Sequence, residues 1–252
     1  MLTRTFVHVP SIGYVVERRL WEAGIGSWED AVACEGCPKG FSASRWELVR
    51  DTSVSSLASL EARDHQYFAS LLRSRDQWRA FPEFRHRVAY LDIETDGMSA
   101  WSKVTVIGVY DGRSTHTYIA GDNMDAFAED IQQYGLLVTF NGGSFDLPFL
   151  RRRFGPIFDQ LHVDLRFALG RLGHQGGLKS IERSLGIGRD DEIADISGDD
   201  AVRLWHEYQR GSQEALDLLV AYNRADVENL ERLMDLAYRD LWDRLVKTGG
   251  SE

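Results

Sequence analysis

VAYLDIETDG, residues 88–97, combines the residues of a buried strand with two carboxylates. Val88, Tyr90 and Ile93 call for burial, whereas Asp92 and Glu94 resist it. Strand side chains two positions apart point to the same side, so Asp92 and Glu94 project together while Leu91 and Ile93 project to the other. Like charges held that close in a partly buried setting cost several kcal/mol unless a cation lies between them. Such a pair suits a hard divalent ion, Mg²⁺ or Mn²⁺. An exposed strand end is the plainer alternative for the decapeptide alone, and the rest of the chain has to choose.

Downstream, residues 103–110 and 114–120 read as strands separated by Asp111-Gly112-Arg113, a hairpin signal, which predicts an antiparallel meander. A helix over about 123–133 leads to an apolar strand at 136–140, which a crossover places parallel to the first. A helix at 147–154, a short strand at 161–163 and further helices complete the order βββαβαβ followed by α. This is an α/β order that resembles the ribonuclease-H-like fold, with a mixed five-stranded sheet flanked by helices.

Two more segments carry carboxylates. Asn141-Gly142-Gly143-Ser144-Phe145-Asp146 follows the fourth strand, its glycines allow a tight turn, and Asp146 opens the next helix. Asp146 could be only an N-cap. If its strand neighbours the first, however, it emerges near Asp92 and Glu94. In a long amphipathic helix, Tyr222-Asn223-Arg224-Ala225-Asp226 places Tyr222 and Asp226 one turn apart on one face. Four acids and a phenol suit two-metal phosphodiester hydrolysis.

DIET, NGGSFD and YNRAD, in this order, resemble the three exonuclease motifs of the DEDD superfamily, tyrosine subtype. The similarity is to YprB-like ribonuclease-H-like proteins and, more distantly, to proofreading domains of family B DNA polymerases. It implies a 3′→5′ exonuclease that uses two Mg²⁺ or Mn²⁺ ions on single-stranded DNA or RNA 3′ ends. Asp92, Glu94 and Asp226 would hold one ion, Asp92 with Asp146 the other, and Tyr222 would orient the attacking water. By the same resemblance Thr95 and Phe145 contact the terminal nucleotide and Asn141 fixes the second-motif turn. Lys179 could meet a phosphate or be a solvated lysine. Arg151, Arg152 and Arg153 are candidates for a backbone-tracking strip, of which at most two can share a helix face. His162, Asp164 and His174 also attract notice, Asp164 as a possible helix cap. A structure-selective endonuclease on the same fold and a non-catalytic nucleic-acid-binding module are the rival readings.

Residues 1–50 are rich in Trp and Gly and predict a helix over 14–23, a break at Gly24-Ile25-Gly26 and a second helix opening at Ser27. SIGYVVERRLWEAGIGSWEDA resembles a helix-hairpin-helix unit, whose hairpin offers N–H groups to a phosphate. Ser11 stands where that family has its first hairpin glycine, and plain packing of two short helices accounts for the same residues. From 53 to about 77, Leu57, Leu60, Tyr67, Phe68, Leu71 and Leu72 predict one connecting helix, ended by Phe81-Pro82-Glu83-Phe84. The expected organisation is a helix-hairpin-helix-like small α-helical region over 1–50, a connecting helix over 51–86 and the ribonuclease-H-like domain over 87–252.

Of the 252 residues, 29 are basic and 39 acidic, a formal charge of −10 that argues against gripping nucleic acid by bulk charge alone. It leaves room for an acidic metal site beside a local basic strip. With 43% hydrophobic residues and no apolar run near the length of a bilayer span, a soluble chain with no membrane partner is expected. MLTRTFVHVPSIG lacks the apolar core of a signal peptide, so the expected location is the cytoplasm. Cys34 and Cys37 are half of a tetrahedral zinc site; reduced thiols in a turn, or a zinc shared across a dimer, are the two readings.

Overall fold

In the computed structural model, β1 (Val88–Thr95) sends Val88 and Tyr90 into one apolar cluster and Ala89, Leu91 and Ile93 into another. Alternation and burial on both faces place this strand in the middle of a sheet. The structure describes residues 1–97, 99 and 101–247; the expected domain end at residue 252 lies outside the described residues. β1 pairs antiparallel with β2 (Val104–Tyr110), which turns back as β3 (Thr115–Ile119). The turn is closed by the Asp111 carboxylate, which accepts the N–H groups of Arg113 and Ser114 at 2.8 Å each, while Gly112 takes a φ of 88°. On its other side β1 pairs parallel with β4 (Leu136–Thr139), and β4 with β5 (Leu161–Asp164). The sheet order is β3-β2-β1-β4-β5, the mixed five-stranded α/β arrangement expected from the element order.

The helices before the sheet are α1 (Tyr14–Glu22), α2 (Trp28–Ala33), α3 (Ala43–Glu61), α4 (His65–Leu71) and α5 (Phe81–Phe84). α6 (Phe127–Asp130) joins β3 to β4, and α7 (Asp146–Phe154) joins β4 to β5. α8 (Leu165–Arg171), α9 (Leu178–Ser184), α10 (Asp191–Ala194), α11 (Gly198–Gln209) and α12 (Gln213–Lys247) follow. On one face of the sheet Phe127, Ile131, Leu147 and Leu150 pack against Ala89, Leu91, Ile107 and Leu137. On the other, Val227, Leu230 and Leu233 of α12 share a core with Val88, Tyr90, Val138 and Val163. Leu20, Trp28 and Trp46 belong to that same cluster, so the N-terminal helices and the sheet bury one continuous apolar volume.

The single connecting helix expected over 53–77 is instead several pieces. α3 begins ten residues earlier than residue 53, at Ala43, and stops at Glu61, where Arg63 takes a φ of 56° and the Asp64 carboxylate caps α4 through the Tyr67 N–H. A left-handed residue followed by a capping carboxylate ends one helix and starts another, which the apolar spacing does not report. Residues 74–80 then form a 3₁₀ helix. The helix expected over 123–133 is likewise α6 with a 3₁₀ turn on either side. In the N-terminal region Gly24 takes a φ of 83° between α1 and α2, and Ser11 takes 65°, a conformation that favours glycine.

Candidate active site

Asp92 and Glu94 leave β1 on the side that faces α12, whose buried residues include Tyr222, Asn223 and Asp226. Carboxylate oxygens of Asp92, Glu94 and Asp226 lie within 4.8 Å of one another. This approach depends on Gly108, the partner of Asp92 across the ladder: a Cβ there would lie 2.1 Å from Asn223 Oδ1 and 3.2 Å from Val227 Cγ1. In the space left, Asn223 Nδ2 donates to Asp92 Oδ2 at 3.0 Å. The ladder shifts register between Glu94 and Thr95, an irregularity of the kind that re-aims side chains at the end of a strand.

Glu94, Asp146 and Asp226 are 8%, 2% and 5% exposed. Burial is the largest force on all four carboxyls and raises each one. Asp92 is held well above the carboxylate range by burial and then by the charges of Asp226, Asp146 and Glu94. Glu94 is held there by burial and Asp226, against a hydrogen bond from Asn223. Burial pushes Asp226 up to about 6 against the pull of Arg189. Asp146 is pushed up to about 7 by burial, against hydrogen bonds from its own N–H and that of Ile93. A cation entering this cluster would favour the charged forms again. The Tyr222 phenol is also raised, by burial and by the charges of Asp226, Glu94 and Asp92, so it keeps its proton.

The turn after β4 is built around one glycine and one carboxylate. Asn141 takes a φ of 65°, and a Cβ at Gly142 would meet Thr139 Oγ1 at 2.3 Å. Asp164 clasps the turn, accepting the Asn141 N–H at 2.8 Å and the Gly143 N–H at 3.1 Å while capping α8 through the Arg166 N–H. Arg166 returns a hydrogen bond to Asn141 Oδ1 at 2.7 Å. Asp146 is the first residue of α7, whose N-cap is Phe145, and its Oδ1 is buried without a hydrogen-bond partner. It does not join the group within 4.8 Å, although its charge acts on Asp92 and Glu94.

A family model of the RNase H superfamily matches residues 89–238. The chain belongs to this superfamily. No curated protein and no solved structure gave a match. The residues matched to the RNase H superfamily include the four carboxylates, Tyr222 and all five strands but for Val88.

Buried partners of this RNase H-superfamily site went unnoticed in the sequence. Asn223 lies inside YNRAD, three residues before Asp226, and that helical spacing could have singled it out. Arg189 and Glu182 pair with each other, and Arg189 with Asp226, yet nothing in LKSIERSLGIGRD marks them. Gly108 reads as an ordinary strand residue. Lys179 comes to the site: its Nζ sits 4.6 Å from the Tyr222 ring centroid, buried without a hydrogen-bond partner.

The remaining expected residues vary in placement. Thr95 is buried and donates to Gly97 O at 2.7 Å, and Phe145 packs on Phe149 with centroids 4.9 Å apart. Arg152 donates to Ser102 O and Arg153 pairs with Asp125, both at 2.6 Å. Exposed Arg151 acts on His162, which burial lowers to about 4 and which hydrogen-bonds Thr139 Oγ1 at 2.9 Å. The His174 N–H bonds Leu169 O just after α8. Cys34 and Cys37 are free thiols, set against Gly36 O at 3.2 Å and Phe41 O at 3.3 Å; among the described residues they join no group of three metal-ligating side chains. No helix among the described residues is long and apolar enough to cross a membrane.

Proposed function

We propose that this chain is a metal-dependent 3′→5′ exonuclease of the DEDD tyrosine pattern, releasing nucleoside 5′-monophosphates from single-stranded DNA or RNA ends. The observation that carries this reading is the convergence of Asp92, Glu94 and Asp226 within 4.8 Å, with Tyr222 one turn from Asp226. The donor set is all oxygen, acidic and largely buried, and Asp146 Oδ1 has no partner within the protein. Such a set fits Mg²⁺ or Mn²⁺, which take carboxylate oxygens. Asp92, Glu94 and Asp226 would hold one ion, and Asp92 with Asp146 a second.

Bound there, the ions would supply an activated water and neutralise charge on the departing 3′ oxygen. The chain's own groups do the rest. Tyr222 orients the attacking water by a hydrogen bond, for which its phenol need not ionise. Asn223 fixes the Asp92 carboxylate, and the Asp164-clasped turn sets where Asp146 enters. Thr95 and Phe145 would border the terminal nucleotide, with Lys179 and Arg151 within the reach of phosphates. Hairpin N–H groups of the N-terminal helices would add contacts to the backbone.

End-labelled single-stranded DNA and RNA, incubated with Mg²⁺, Mn²⁺ or chelator and resolved by length, test the reading. Stepwise shortening from the 3′ end, with none in chelator, is the expected result. Internal cuts would point to an endonuclease on this fold, and intact substrate under all conditions to a binding module.

A further inference from the structure

Beside the acid cluster, Arg189 pairs with two buried carboxylates, Glu182 and Asp226. It lies in the loop between α9 and α10 with its side chain 5% exposed. Its Nε and one terminal nitrogen donate to the two oxygens of Glu182 at 2.7 and 2.8 Å, a forked pair. Glu182, on α9 and 1% exposed, also accepts from Asn229 Nδ2 of α12 at 3.0 Å. The guanidinium nitrogen that closes the fork on Glu182 also pairs with Asp226. Asp226 is therefore paired with a guanidinium whose own position is set from α9 and, through Asn229, from α12 within one turn of Asp226 itself.

We propose that Arg189, held by Glu182 and Asn229, is a positioning residue that presets the Asp226 carboxylate for cation binding; this rests on the metal-dependent reading above. Charge separates positioning from the alternative in which Arg189 is an internal substitute for the ion. Glu182 offsets the arginine's charge, so the pair brings a guanidinium nitrogen against Asp226 while adding little net positive charge to the cluster. A carboxylate fixed in this way keeps one oxygen engaged and aims the other, and it loses less rotational freedom when an ion arrives. Asp92 is likewise held by a polar side chain, accepting from Asn223 Nδ2 at 3.0 Å.

The test measures Mn²⁺ affinity of the full chain without nucleic acid, by isothermal titration calorimetry, beside melting temperature with and without the ion. Arg189→Gln is expected to raise the Mn²⁺ Kd about 10- to 100-fold, the range for losing a group that orients a metal ligand. Arg189→Lys keeps the charge against Glu182 but has no fork to serve two carboxylates, so its Kd should also rise; it decides the matter if Arg189→Gln does not fold. Glu182→Gln should weaken binding, and combined with Arg189→Gln the loss should fall short of the product of the two, because both act through one contact. Folded variants with wild-type Kd would make the pair merely structural and overturn the proposal. A tighter Kd in Arg189→Gln would overturn it in favour of competition with the ion. Wild-type protein that binds no Mn²⁺ overturns the metal reading and this one with it, whereas wild-type binding with unaltered variants overturns this one alone.

Discussion

Two buried charge clusters among the described residues are built on opposite terms. In the N-terminal region Glu17, Asp76 and Arg79 are each 2% exposed or less. Glu17 accepts from the Phe6 N–H at 2.6 Å and from Arg79 at 2.9 Å, and Tyr14 donates to both oxygens of Asp76 at 2.8 Å. Every carboxylate there has its donors inside the chain. In the acid cluster Asp92, Glu94, Asp146, Asp226 and Glu182 face Arg189 and Lys179, and Asp146 Oδ1, Asn223 Oδ1 and Lys179 Nζ are buried without hydrogen-bond partners. The first cluster ties α1 to the segment that leads into β1. The second has more carboxyls than cations within the protein to answer them, and the metal-dependent reading rests on that imbalance.

This contrast would be broken most completely by activity. Asp92→Asn and Asp226→Asn should each cost about a thousandfold or more in hydrolysis while leaving a folded protein, since each neutralises an ion ligand. Near-wild-type rates in Mg²⁺ would remove that carboxylate from the site. In the N-terminal cluster the loss should be of stability. Arg79→Met strands Glu17 and Asp76 and should cost about 3–5 kcal/mol in urea unfolding. Its rate per folded molecule should be kept, and a variant as stable as wild type would show that the cluster is not structural.

Smaller effects sharpen the same contrast. Tyr222→Phe should lower the rate about ten- to a thousandfold with Mn²⁺ affinity kept, because it removes a hydrogen bond and no ligand; equal losses of affinity and rate would contradict the role given to the phenol. Millimolar Mn²⁺ should raise the melting temperature, the stabilisation being about 2.7 kcal/mol at about 100 times Kd. An unchanged melting curve would mean that the acids hold no ion.

The smallest effect is in pH. A carboxyl raised by burial binds its proton more tightly folded than unfolded, so its contribution is full below about pH 4 and is lost as pH climbs through its folded value. Without metal, wild type should therefore fall progressively behind Asp146→Asn as pH climbs from about 4 to the Asp146 value of about 7, and the gap should level off above it. A gap on the order of 2 kcal/mol is expected, and one that is flat with pH would contradict the burial of that charge.

What the sequence by itself determined were the features with a short period. Two-residue alternation put Asp92 and Glu94 on one side of β1, one helical turn joined Tyr222 to Asp226, and Asp111-Gly112 and Gly142-Gly143 marked turns that formed where expected. The strand order followed from the succession of elements, because short crossovers and hairpins leave few topologies. Tertiary structure alone decided what depends on atoms far apart in the chain. Gly108 became essential only because α12 presses Asn223 against β2, and Arg189 became a partner of Asp226 only because a loop after α9 lies against α12. The helix break at Arg63 escaped notice for a related reason: apolar spacing reports which residues seek the core, while a left-handed residue and a capping carboxylate decide where one helix stops and the next begins.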